Sequence, residues 1–392
     1  MTKPALLVLG CTSQQLPVID AGHRRGLAVV GIDPDPDANG GSAVDSFVIA
    51  DLADSEACLA AARQAKPVGV LTFAADYPVP MVARIAACLG LPGPSPATAL
   101  AMTDKLAMRR QLAAAGLPIP RFASVAGPVD VSAFDGPAVV KPTRSAGSRG
   151  VTLVEGGDPG SLLERARAES ADGNVLIEEY VAGPEVSVEA VTVEGRTTVL
   201  AITDKLTSGP PDFVELGHTQ PSRLTEHCLD LAALTRQTLL ALGLRSGPSH
   251  TEIRIGQQGP VVIEAAARFG GGCISSHLLP ISAGIEAADI AVSMALGEYD
   301  PTEPRIEQAA AVRFLVPRPG VVRSITGVDE VQAWPEVAEV RVEVAVGDPV
   351  HAMRSARDRI GYVVTSGRTA GDAAALADRA VASIAIKTGR AS

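Results

Sequence analysis

Aromatic side chains are scarce in this chain. They make up 3% of its 392 residues, with a single Trp. Proteins that hold single-stranded nucleic acid stack bases on aromatic faces, so this supply argues against that role. Positive charge is also lacking. The formal net charge is −10, whereas a phosphate backbone needs a basic footprint. Nucleic acid is therefore excluded as a partner, while anionic small molecules remain, since a few local Lys and Arg can hold them. Cys11, Cys58, Cys88, Cys228 and Cys273 are scattered and form no C-x-x-C pair, which speaks against a disulfide framework or a zinc site. No apolar run is long enough to span a bilayer, and Met-Thr-Lys-Pro leads into a strand rather than a signal peptide. The expectation is a cytoplasmic protein with no membrane partner. Two nucleotide fingerprints are missing as well. Gly10-Cys-Thr-Ser-Gln-Gln lacks the later glycines of G-x-G-x-x-G, and G-x-x-x-x-G-K-[ST] occurs nowhere.

Apolar residues are plentiful at 46%, and the length leaves room for roughly two to four domains. Apolar runs at Ala5–Leu9, Leu27–Ile32, Phe47–Ile49 and Val68–Phe73 alternate with helical stretches at 14–25 and 57–64. Alternating strands and helices imply a parallel, Rossmann-like sheet to about Leu91, read first as a scaffold; the second reading has the loops at 10–14 and 74–77 touch a substrate at the strands' C-terminal edge. Leu91-Pro-Gly-Pro-Ser95-Pro96 is a linker with a helix start. Ala138-Val-Val-Lys141-Pro142 reads as a strand, followed by a Gly/Ser loop at 143–150 whose backbone N–H groups can fold over phosphates. Val175–Val181 is a strand with two acids near its end. The run 205–211 reads as a mobile loop, and 215–221 as a polar patch between elements. A helix is expected over 226–242, closed by Gly243, and another over 284–296. A strand-rich tail ends in a helix at 371–383.

The most informative stretch is His250–Gly272. Two β-rich runs joined by Gly-Gln-Gln-Gly each carry a carboxylate, Glu252 and Glu264. As neighbouring antiparallel strands they place the two acids side by side, which is costly unless a cation lies between them. Arg268 and three glycines follow. Paired acids, an arginine and a glycine run point to Mg²⁺ with phosphate. Taken singly, these features have ordinary readings. Lys141 could snorkel at a surface, His250 and His277 are structural, Arg313 pairs with an acid, and Cys273 packs, with no base placed to make it a nucleophile.

In order and spacing, Lys141-Pro142, Gly147–Gly150, Glu178–Val181 with Glu185, and Glu252…Glu264-x-x-x-Arg268 resemble the ATP-grasp superfamily over nearly the whole chain. The resemblance implies an α/β and α+β protein: a Rossmann-like N-terminal domain over residues 1–94, an ATP-grasp domain over 95–308 with its lid at about 117–182, and a small strand-rich α+β domain over 309–392. It implies ATP with Mg²⁺, or Mn²⁺ in its place. It assigns Lys105 and Lys141 to the ATP phosphates and the 144–150 loop, Ser148 included, to the flexible lid. Glu178 and the backbone of Glu179, Tyr180 and Val181 are assigned to adenine, Glu185 to the ribose, and Glu252 and Glu264 to the metal. Many members place Asn two residues after the second acid; here that residue is Ala266.

Gly217-His218-Thr-Gln-Pro221 and Glu264-Ala-Ala-Ala-Arg268-Phe-Gly-Gly-Gly look most like the L-amino acid ligases and related carboxylate–amine ligases. The resemblance then implies small-molecule acid and amine substrates, an acyl phosphate held by Arg268, an amine positioned or deprotonated by His218, and a homodimer. The competing expectations are an ATP-dependent carboxylase of the biotin carboxylase or purine-pathway type, and a nucleotide-binding module without catalysis.

Overall fold

The computed structural model describes residues 3–125, 134, 136–155, 159–301 and 304–389. The chain opens with β1 (Ala5–Leu9), α1 (Leu16–Arg24), β2 (Ala28–Asp33), β3 (Ser46–Ile49), α2 (Ser55–Ala65), β4 (Pro67–Leu71) and α3 (Val79–Leu89). The four strands form a parallel sheet in the order β3-β2-β1-β4. Helices cover both faces of this sheet, so β1 can be the unbroken apolar run Ala-Leu-Leu-Val-Leu. Its residues split between two core clusters. Gln15 Nε2 donates to Phe73 O at 2.6 Å and ties together the loops that leave β1 and β4.

Next come α4 (Pro96–Ala101), α5 (Lys105–Ala114), β5 (Phe122–Val125), β6 (Ala138–Pro142), β7 (Thr152–Val154), α6 (Gly160–Ala168) and β8 (Val175–Glu179). Ser95 and Asp104 cap the two helices by accepting from backbone N–H groups of the first turn. The strands form a separate antiparallel sheet in the order β5-β8-β6-β7. Parts of the expected lid, residues 126–133, 135 and 156–158, lie outside the described residues.

The remainder is built on β9 (Glu185–Val193), β10 (Arg196–Thr207), β11 (Glu215–Gln220), α7 (Cys228–Ala241), β12 (Gly247–Gly256) and β13 (Gly259–Ala266). Then follow α8 (Leu279–Ala283), α9 (Ala287–Leu296), β14 (Ala309–Phe314), β15 (Gly320–Thr326), α10 (Val328–Gln332), β16 (Val337–Val342), β17 (Pro349–Val350), β18 (Gly361–Gly367), α11 (Ala370–Ser383) and β19 (Ala385–Gly389). Eight of these strands make one sheet, β13-β12-β9-β10-β11-β14-β18-β16, so it continues across the 308/309 division. Only β15, β17 and β19 form their own small sheet.

Side-chain alternation gives this large sheet two chemically different faces. Val186, Val188 and Ala190 of β9 pack with Leu231, Leu234 and Leu239 of α7. Each fully buried Val or Leu contributes about 1.5–3 kcal/mol. The intervening Glu185, Ser187 and Glu189 take the other face, opposite Arg254, Glu252 and His250 of β12. Two expectations are corrected here. Residue 205 is not in a mobile loop, because β10 runs to Thr207 and Lys205 pairs with His218. The polar patch at 215–221 is, up to Gln220, itself the strand β11. Both segments carry charge where strands usually carry apolar residues, because their polar face meets other charged strands.

Candidate active site

The polar face of the large sheet, the lid sheet and the loop after β4 enclose one cavity. Glu252 and Glu264 are direct cross-strand partners on β12 and β13. Each carboxylate is held by a lysine. Glu264 accepts from Lys105 Nζ at 2.8 Å, and Glu252 is 2.8 Å from Lys205 Nζ. Lys105 is the first residue of α5 and also donates to Ser145 O, in the 144–150 loop, at 2.8 Å. Lys205 is a residue the sequence reading missed. Its side chain is buried, and its Nζ lies 2.7 Å from Glu185 and 3.1 Å from Glu215 as well. Burial alone would depress its pKa, but Glu185, Glu252 and Glu215 raise it well above normal. Glu252 is driven well below the usual carboxylate range, because Lys205 and His250 outweigh the cost of its burial.

On the lid side, Lys141 of β6 is ion-paired with Glu178 of β8. Arg109, fully buried on α5, completes a triad, with Nε 2.5 Å from Glu178 and Nη2 donating to Ile263 O at 2.6 Å. Burial lowers the Lys141 pKa, and Arg109 and Lys105 add to that against the pull of Glu178. The Glu178 carboxylate, expected at the adenine, lines the cavity and is paired there with these two cations. Glu179 and Tyr180 donate their N–H groups to Arg121 O and Pro137 O, and Val181 O accepts from Arg254 Nη1 at 2.9 Å. Tyr180 lies against Phe213, ring centroids 5.6 Å apart, with the Arg254 guanidinium within 5.4 Å of both rings. These three side chains together make one side of the cavity wall. Glu185, expected at the ribose, stands beside it, paired with Arg254 at 2.8 Å. Ser148, at φ +59°, donates its hydroxyl to Phe213 O and pins the loop over the cavity.

Arg268 reaches the cavity but grips Asp76, in the loop after β4, through two bonds of 2.9 and 2.7 Å. Burial raises the Asp76 pKa, yet Arg268 more than reverses this and holds it below normal. His250, read as structural from sequence, also lines the cavity. It pairs with Glu189 and lies 3.3 Å from Glu252. Against the effect of burial, Glu189 lifts its pKa to about 9. Glu189 in turn accepts from Gly270 N at 2.8 Å and so anchors the glycine run.

His218 departs from expectation. Its ring is buried, lies outside the cavity wall, and has no hydrogen-bond partner on either nitrogen. Burial pushes its pKa down to about 3, despite Glu215 3.7 Å away. A neutral imidazole that holds a proton so weakly is a poor base, though it can still donate one N–H.

The comparisons fit this geometry. A family model described as an ATP-grasp domain matches residues 134–276. A second, described as L-amino acid ligase C-terminal domain 2, matches residues 313–389. An uncharacterised protein, y4rH, of Sinorhizobium fredii is 32% identical, with 80% of this chain covering 67% of that protein. The chain belongs to the ATP-grasp ligases. Within that family of ATP-dependent carbon–nitrogen ligases it lies close to the L-amino acid ligases. The L-arginine-specific L-amino acid ligase of Bacillus subtilis is 25% identical over 68% of this chain and 67% of that one. The structure of an L-amino acid ligase from Bacillus licheniformis superposes with a TM-score of 0.84 at 25% identity and covers 100% of both chains. No single helix among the described residues of this ATP-grasp ligase is long and apolar enough to cross a membrane.

ATP-grasp enzymes use a divalent metal, and the residues present here fit one in a limited way. Glu252 and Glu264 are hard oxygen donors on adjacent strands, suited to Mg²⁺. Among the described residues no three His, Cys, Asp or Glu side chains form a metal-holding group, and Ala266 adds only a methyl to the wall. The two carboxylates would therefore hold the ion together with phosphate oxygens and water. Charge points the same way. Lys105, Lys141, Arg149, Lys205, Arg254 and Arg268 face Asp76, Glu178, Glu179, Glu185, Glu215, Glu252 and Glu264. With His250 protonated the wall is near balance, so a polyphosphate entering it needs accompanying positive charge.

Proposed function

We propose that the protein joins a small carboxylic acid to an amine, forming an amide or dipeptide through an acyl phosphate and releasing ADP and phosphate. The observation that carries this reading is the convergence of Lys105, Glu252, Glu264 and Arg268 on one cavity that the lid and N-terminal loops close. One carboxylate oxygen of the acid attacks the γ-phosphorus, and the bond from that phosphorus to the ADP oxygen breaks. The amine then attacks the acyl carbon, phosphate leaves with the transferred oxygen, and the proton lost from the amine nitrogen goes to that phosphate. Mg²⁺, held by Glu252 and Glu264, supplies charge neutralisation when bound.

The chain's own groups account for the remaining demands. Lys105 and Lys141 leave their carboxylate partners to meet the phosphates, where fixed cations stabilise charge developing on the transferring group. Arg268, held in line by Asp76, offers planar donors suited to an acyl phosphate and the tetrahedral intermediate. The Tyr180–Phe213–Arg254 side of the cavity offers ring faces for a flat base, with Glu185 beside it for ribose hydroxyls. The 144–150 loop excludes water, which otherwise hydrolyses the acyl phosphate. Lys105 to Ser145 O and Ser148 to Phe213 O fasten that loop over the site. His218, uncharged, orients the amine without taking its proton.

A panel of ADP-release assays tests the reading. Release is expected only with an acid and an amine together, and mass spectrometry should find their amide. Release driven by bicarbonate, or bound ATP that no acid–amine pair turns over, overturns it.

A further inference from the structure

The segment between β17 and β18 carries the run Ser355-Ala-Arg357-Asp-Arg359, and it touches the glycine loop from outside the nucleotide cavity. Ser355 and Asp358 form a capping box. Ser355 Oγ accepts from Arg357 N at 3.3 Å, and Asp358 Oδ2 accepts from Ser355 N at 2.9 Å. Together they close a short 3₁₀ turn, Ala356–Asp358. An N–H in the first turn of a helix has no partner within it. That of Ala356 points outward and donates to Gly147 O at 3.1 Å. Gly147 permits the approach: it sits at φ +66°, and a Cβ on it would lie 3.1 Å from Ala356 Cβ. Further on, Arg359 anchors the segment to the large sheet. Its Nη2 donates to Glu215 Oε2 at 2.7 Å and to the Glu215 main-chain oxygen at 3.2 Å, and its guanidinium lies on Phe314, 3.6 Å from the ring centroid. Glu215 itself lines the nucleotide cavity. Arg357, exposed on the turn, acts on Arg149 of the loop as a like charge. Burial and Arg357 hold the Arg149 pKa below normal, against Glu169 at 3.5 Å.

We propose that residues 355–359 latch the 144–150 loop over the nucleotide, with the Ala356 N–H as the catch and Arg357 as the like charge that keeps it releasable. These are positioning residues, which act through the loop and touch no substrate. The loop's other two fastenings, Lys105 to Ser145 O and Ser148 to Phe213 O, involve side chains of the cavity wall. Lys105 is also the lysine proposed for the phosphates, so a bound nucleotide competes for it. Ala356 lies outside the wall, and its bond does not depend on what fills the cavity. One net hydrogen bond shifts an equilibrium by roughly twofold to tenfold. That size suits a lid that must stay shut during chemistry and still open to let product go. The inference needs a nucleotide in the cavity and no particular acid or amine.

The test is the rate at which the protein releases ADP carrying a methylanthraniloyl fluorophore on its ribose, followed by stopped flow with Mg²⁺ and without acid or amine. Pro is tolerated at the first position of a helical turn when the residue before it is extended, and Ser355 is extended. Ala356→Pro therefore keeps the turn and deletes the donor, and release is expected to quicken roughly threefold or more. Ala356→Gly keeps the N–H and is expected to stay within about twofold of wild type. Arg357→Glu turns the repulsion toward Arg149 into attraction. It is expected to slow release about twofold at low salt, with the difference vanishing near about 0.5 M salt, where exposed charges are screened. Release from A356P at the wild-type rate, or from A356G as fast as from A356P, overturns the proposal. So does release from R357E no slower than wild type at low salt, which decides the matter if A356P does not fold. Failure of the wild type to bind the labelled ADP would remove the nucleotide site and the latch together. The ligase reading is judged separately, by amide formation.

Discussion

Arg109 shows how much a single side chain can carry in this site. It is fully buried, bonded twice to Glu178 and once to Ile263 O. Truncating one member of a buried ion-pair group leaves the others uncompensated and costs about 3–5 kcal/mol. Arg109→Met is therefore expected to lose about that much in urea unfolding, and a loss within about 1 kcal/mol would show that Lys141 alone balances Glu178. Nothing in the sequence marks Arg109, which sits among the polar residues of an amphipathic helix. Glu252 and Glu264 were readable because both sit on strands joined by a short turn, which fixes their partnership locally. Lys205, Glu189, Glu215 and Arg359 act through partners far along the chain or across the sheet, and their local pattern resembles ordinary strand or loop polarity. The Gly-His-x-x-Pro setting marks His218 in the sequence, but only the fold shows that its ring is buried.

At the scale of elements, the site depends on where helices and strands begin. Lys105 opens α5 and takes its direction from the cap at Asp104, whose carboxylate accepts from Leu106 N and Ala107 N at 2.9 Å each. Asp104→Ala is expected to cost about 1 kcal/mol of stability. It should also raise KM for ATP, because the fraying turn carries Lys105, the lysine proposed for the phosphates. Unfolding curves and ATP titrations check both, and an unchanged KM would detach Lys105 from the nucleotide. The elements of the N-terminal sheet were legible because alternating apolar runs and helices need only local periodicity. β10 and β11 were missed in part, since a strand with Lys205 or His218 inward makes sense only once Glu185, Glu215, Glu252 and Phe314 are known to face them. The shared eight-stranded sheet was hidden for a related reason. β14 and β18 read as tail strands, and only pairing with β11 makes them part of the catalytic sheet.

For the whole molecule, the link that matters is Asp76 to Arg268, which fastens the N-terminal sheet's loop to the glycine run. Asp76 titrates below its ordinary value of about 3.9 when folded. A depressed carboxylate contributes stability that is full above the unfolded value and vanishes as pH falls through the folded one. Wild type should therefore be more stable than Asp76→Asn at pH 7, with the gap closing below about pH 4. Urea midpoints of the two proteins across that range check this, and a gap that widens in acid would refute it. In the proposed reaction the same link presents Arg268 to the acyl phosphate. The most direct test uses acid labelled with ¹⁸O in its carboxylate, incubated with ATP and the amine, with the released phosphate analysed by mass spectrometry. One ¹⁸O atom is predicted in the phosphate for each amide formed; amide formation with unlabelled phosphate would contradict the account.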